Sequence, residues 1–140
     1  QLAAWGDDQQ GLLALLILLD QFPRNLFRGE ARAFVGDPPA RRLAERALDR
    51  GWDKGLSAVE KLFVYLPFEH SEALADQERS VALFSALATG HPGCEGFLDY
   101  AHRHHEVITR FGRFPHRNAA LGRPSTPEET SYLAQPGSGF

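Results

Sequence analysis

Leu12-Leu13-Ala14-Leu15-Leu16-Ile17-Leu18-Leu19 is an unbroken apolar run, and its reading decides the fold class. By periodicity alone such a run fits a buried strand as well as a buried helix. Its richness in Leu and Ala, and the length of the segment from about Asp7 or Asp8 to Phe22, select the helix. Acidic residues at the start suit the helix dipole, and Pro23 is expected to stop the helix. Leucine and isoleucine occupy every side, so other helices must surround it. The run is far short of the roughly 20 residues a membrane span needs, so no membrane partner is expected. It is also neither preceded by a basic segment nor followed by a small-residue cleavage site, as a signal peptide would be.

The rest of the chain repeats the helical pattern. Asp37 reads as an N-cap with Pro38 at the first helical position, and the helix runs to Arg50 before Gly51, with Leu43, Ala47 and Leu48 as its apolar stripe. Ser57-Ala58-Val59-Glu60 is a capping box, which starts a helix whose core face is Val59, Leu62, Phe63 and Leu66 and which Pro67 ends or kinks. Ser71 is the expected cap of a long helix to Thr89, broken by Gly90-His91-Pro92-Gly93. The next helix, about Glu95 to Phe111, closes on Gly112 in a left-handed cap. Thr126-Pro127-Glu128-Glu129 starts a short helix to about Ala134. No segment alternates as a strand does, so the class is all-α, either a bundle or stacked antiparallel hairpins.

With 140 residues, 43% of them hydrophobic, one domain over residues 1–140 is expected. Fifteen Lys and Arg against 18 Asp and Glu give a net charge of -3, which argues against nucleic acid as a partner. Cys94 is the only cysteine, so there is no intrachain disulfide and no multi-cysteine metal site, and a reducing cytoplasm is the expected compartment. The chain starts at Gln1 and contains no Met, from which missing upstream residues are expected.

The chemistry gathers at two helix exits. Phe22-Pro23-Arg24-Asn25, with Arg28 beyond, is echoed by Arg113-Phe114-Pro115-His116-Arg117-Asn118, which suggests one site built from two distant corners. On the preceding helix, Phe97, Tyr100, Ala101, Val107, Ile108 and Phe111 all fall within about 60° of His104. His104 is then either a core histidine bonded to a backbone carbonyl or a tyrosine, or a site histidine facing a cavity. Guanidinium groups beside a partly dry wall favour carboxylate or phosphate ligands. Alternatively they bond helix-terminal carbonyls or pair with Asp20, Glu30, Glu69 and Glu72. The corner Glu69-His70-Ser71-Glu72 supplies facing charges. The histidine spacing holds no paired-histidine zinc motif, and neither a metal nor another cofactor is expected.

Three segments together, Leu19 to Gly29, Tyr65 to Glu72 and Phe111 to Asn118, with Leu121-Gly122-Arg123-Pro124-Ser125-Thr126, resemble a mainly bacterial domain-of-unknown-function family, number 924. The resemblance covers the chain from about Trp5 onward. It implies an all-helical, tetratricopeptide-like fold, and the further N-terminal helical segment that family members usually carry is expected to be missing here.

The expected site is a polar pocket drawn from Arg24, Asn25, Arg28, Glu69, His70, His104, Arg113, His116, Arg117 and Asn118. Its leading function is binding of a small anionic molecule or a peptide carboxylate, with the arginines as clamp. One alternative is a hydrolase in which His70 with Glu69 or Glu72, or else His116, activates water. The other is a helical scaffold for protein partners. Oligomeric state is not encoded in any of these features.

Overall fold

The computed structural model describes residues 2–140, and these form helices and turns with no strand. A 3-10 turn, Leu2–Asp7, leads into α1 (Gln9–Leu16), which passes through a π-helical turn, Ile17–Gln21, into α2 (Phe22–Leu26). A second 3-10 turn, Ala31–Phe34, precedes α3 (Asp37–Asp49), and a third, Trp52–Gly55, precedes α4 (Ala58–Glu69). Then follow α5 (Leu74–Gly90), α6 (Glu95–Phe111), a 3-10 turn over Pro115–Arg117, α7 (Asn118–Leu121) and α8 (Pro127–Leu133). Among the described residues no helix is long and apolar enough to cross a membrane.

The first helix does not stop at Pro23. Proline has no N–H to give the Leu19 carbonyl four residues back, which removes one rung of an α-helix. The chain absorbs the loss by widening: the Phe22 N–H bonds the Ile17 carbonyl, five residues back, and the helix resumes through Leu26. The Leu19 carbonyl, which Pro23 cannot serve, is approached by Gly36, where a Cβ would collide with its oxygen. Gly36, not Asp37, is the N-cap of α3, and Asp37 sits in the first turn with its carboxylate turned to Arg24.

Both capping boxes form as expected, at Ser57 with Glu60 and at Thr126 with Glu129. Gly112 closes α6 at φ 71°. Pro67 is carried inside α4, which continues to Glu69. Ser71 is not the cap of α5. Its hydroxyl accepts from the Ala73 N–H and donates to Asp76, and the helix begins at Leu74. Gln77, fully buried, reaches back from α5 and donates to the carbonyls of Glu69 (2.6 Å) and Ser71 (2.7 Å), satisfying the end of α4.

The core is built where α1, α3, α4 and α5 meet, around Leu12, Leu16, Val64, Phe68 and Phe84. The most buried stripe of α3 is Ala40, Ala44 and Ala47, with Leu43 and Leu48 only partly buried. Small side chains at these positions let α3 approach α1 closely. α5 packs along α4 on one side and α6 on the other. A smaller cluster of Val107, Ile108 and Phe114, with Phe111 and Tyr132, ties the end of α6 to α8.

Candidate functional site

A cleft of about 630 Å³ opens between the α2 exit, the α4 exit, the middle of α6 and the 3-10 turn of Pro115–Arg117. One lining residue, His70, is backed by a partner the sequence reading did not join to it. Asp20, presented by the π-helical turn and 2% exposed, stands 2.7 Å from His70 Nδ1 at the end of α4. Burial works to raise the Asp20 carboxyl, but His70 and Arg24 beside it outweigh burial and hold it below its ordinary value. With Nδ1 engaged, His70 Nε2 is the ring nitrogen that has no partner among the described residues.

Arg24 is held from three directions. Nη1 donates to the Asp20 carbonyl (2.8 Å) and carboxylate (3.1 Å), and the guanidinium forms a two-pronged pair with Asp37 at 2.7 and 2.9 Å. Arg117 shares that aspartate at 3.4 Å and donates to the His70 carbonyl at 2.8 Å. Its guanidinium lies between the rings of Phe34 (4.6 Å) and Phe114 (4.7 Å), an arrangement suited to a planar delocalised cation. Burial pushes Arg117 down to about 10, so it remains charged at neutral pH, while its Nε has no hydrogen-bond partner.

The other two histidines are neutral. Burial pushes His104 down to about 3, and its Nδ1–H donates to the Tyr100 carbonyl at 2.8 Å. The back-bonded core histidine expected from the helical face is therefore correct, and the same ring also lines the cleft. Burial, aided by the charge of Arg117, pushes His116 down to about 4, and its Nδ1 is buried without a partner. Asn25 and Arg28 are on the cleft rim and exposed. Asn25 bonds back to the Gln21 carbonyl, and Arg28 has no ion-pair partner among the described residues.

Arg24, Asn25, Arg28, His70, His104, His116 and Arg117 thus meet on one cleft. Three expected members do not line it. Glu69 is buried behind the lining, and burial followed by the charge of Asp20 raises its carboxyl to about 8. Its 3.8 Å approach to His104 Nδ1 joins two neutral groups at neutral pH and is not an ion pair. Arg113 and Asn118 turn the other way, onto Glu129: Arg113 grips it with Nε and Nη2 at 2.9 Å each, and Asn118 donates to it at 2.8 Å. That grip holds the Glu129 carboxylate at about 2. Glu72 is also structural. It takes both prongs of Arg123 and the Phe114 N–H, all at 2.9 Å. The proposed histidine–carboxylate pairs with Glu69 or Glu72 therefore give way to His70 with Asp20.

The sequence carried one usable signal for Asp20: a lone carboxylate closing an eight-residue apolar run has to find a partner. Nothing local pointed to the pairing of Asp37 with Arg24, since its pattern reads as a helix cap, or to Phe140, whose ring lies over His104.

The family model described as Bacterial protein of unknown function (DUF924) matches residues 1–137. Among solved structures, a protein of unknown function from Agrobacterium tumefaciens is similar over 95% of this chain and 72% of its own, at 45% identity and a TM-score of 0.87. No curated protein matches.

Proposed function

The chain belongs to the DUF924 family of bacterial proteins, and since membership assigns no activity, we propose from the chemistry of the cleft that it binds a small anionic molecule. One observation carries this reading, the charge balance of the cleft wall. Arg24, Arg28 and Arg117 line it with three guanidinium groups, and the two carboxylates that reach them or His70, Asp20 and Asp37, lie behind the lining. Each carboxylate is already divided, Asp37 between Arg24 and Arg117, Asp20 between Arg24 and His70. An anion entering this partly dry cleft gains the uncompensated charge, and neutral histidines beside it add hydrogen bonds without adding repulsion. The volume also suits a small ligand rather than a single ion.

Arg28 provides the cleanest test because it is exposed and ion-paired to nothing among the described residues, so its removal leaves the fold alone. Calorimetric titration with inorganic phosphate and with acetate should show saturable binding that Arg28→Ala weakens about tenfold, a charge-assisted contact's worth. Absence of saturable heat with both anions sinks the reading.

The Asp20–His70 pair favours a second reading, hydrolysis. In it His70 Nε2 takes the proton from an attacking water, Asp20 steadies the resulting imidazolium, and the guanidinium groups stabilise the developing anion. Hydrolysis of ester and phosphoester substrates should then fall by about a hundredfold or more in His70→Ala. Turnover that survives this change rules the histidine out as base.

A further inference from the structure

The inner end of the cleft has a shape that charge balance does not explain. The ring of Phe140 lies on the ring of His104 with centroids 3.7 Å apart and planes 21° from parallel. It meets Phe114 edge to face at 6.1 Å and 79°, and His116 at 5.7 Å and 70°. His104 thus acts as a floor and Phe114 and His116 as walls, which is the arrangement in which one planar ring satisfies all three quadrupoles. The floor is rigid, since the Nδ1–H bond to the Tyr100 carbonyl fixes the plane of His104.

The present occupant is lightly held. Phe140 is 40% exposed and takes φ 46°, the one left-handed backbone among the described non-glycine residues. A residue with a Cβ enters that region at an energetic cost. The segment leading to it is tied by an exposed bond from Arg103 to the Gly137 carbonyl at 3.2 Å and by Ser138 Oγ to the Leu133 carbonyl at 3.1 Å. The charged part of the cleft begins one ring away: His70 lies 6.3 Å from His104, and the Arg117 guanidinium 4.7 Å from Phe114.

We propose that this slot is an aromatic subsite, that the ligand of the cleft is a small anion carrying a planar aromatic ring, and that binding displaces the ring of Phe140 from His104. The proposal rests on the anion-binding reading and assigns its ligand class. Phe140 acts as an internal competitor at the ring slot alone: the His104 floor stays occupied until a ring-bearing anion supplies the stack, while the charged part of the cleft remains open to any anion.

The test is calorimetric titration of the full chain and of Phe140→Ala with four probes: 3-phenylpropionate, propionate, phenyl phosphate and inorganic phosphate. Each phenyl probe should bind about tenfold tighter than its ringless counterpart, the scale of one aromatic stack. Phe140→Ala should tighten the phenyl probes several-fold further, because an occupant that competes by mass action has gone, and leave the ringless ones unchanged. Equal affinity within each pair overturns the aromatic subsite while the anion reading stands. A phenyl preference that Phe140→Ala does not alter overturns its placement at His104. Silence of all four probes overturns both readings.

Discussion

Burial, with the charge of Asp20 behind it, raises the Glu69 carboxyl to about 8, and its Oε1 has no hydrogen-bond partner. At neutral pH the native protein therefore keeps a proton that the unfolded chain loses near 4.5. Where the native state binds more protons than the unfolded state, stability falls as pH rises, here across the window from about 4.5 to 8. Glu69→Gln imitates the protonated form without titrating. It should raise stability at pH 7 by up to about 3 kcal/mol, the full gain being reduced by whatever the extra amide hydrogens lack in partners. Urea unfolding at pH 7 and at pH 4.5 checks this. The advantage should nearly vanish at the lower pH, and a variant no more stable at pH 7 contradicts the burial argument. His104 and His116 work in the opposite sense: their native values lie below 6.5, so their contribution is complete above 6.5 and is lost as pH falls towards about 3 and about 4 respectively. Asp20, by contrast, is buried yet charged because His70 and Arg24 meet it directly. Two buried carboxyl groups close to one another thus differ in protonation because one has partners and the other has none.

At the scale of elements, the π-helical turn of Ile17–Gln21 is what presents Asp20 to His70 and Arg24 behind the cleft wall. Pro23 deletes the donor to Leu19, the widened turn accommodates the loss, and Gly36 packs against the Leu19 carbonyl. Asp37 follows Gly36 directly, so the same close approach also sets the Arg24–Asp37 pair. Gly36→Ala should therefore do more than an ordinary glycine change: the new Cβ meets backbone, which cannot swing aside as a side chain can. A loss of about 1–3 kcal/mol is expected from overpacking, read by urea or thermal unfolding. A melting temperature unchanged by the substitution excludes the close approach as a structural constraint. The helix exit at Gly112 is organised separately. Glu72 and Glu129 take Arg123, Arg113 and Asn118, and so hold the turn that carries His116 and Arg117. Half of the second motif thus serves as scaffold for the other half.

At the scale of the molecule, the cleft exists only when distant segments close on one another: Asp20 meets His70 across 50 residues, Glu72 meets Arg123 across 51, and Arg117 reaches the His70 carbonyl across 47. The legible parts were those governed by neighbours three or four residues apart. The all-helical class, both capping boxes, the left-handed stop at Gly112 and the burial of His104 on its helix face follow from such short-range geometry, and each stands in the structure. The gathering of Arg24, His70, His116 and Arg117 was legible too, through the echo of the two proline-containing exits. Partner choice was not. Whether an arginine finds Glu129 or Asp37, and whether His70 finds Asp20 or its own neighbours Glu69 and Glu72, depends on how each helix is rotated about its axis when packed. The sequence by itself determined the helices, the ends marked by the two capping boxes and Gly112, and which face of α6 is buried, because these are settled within single turns of backbone. Only the tertiary structure decided which carboxylates stay charged, which arginines remain on the cleft and that the ring of Phe140 lies on His104, because those outcomes depend on distances between segments that no local pattern specifies.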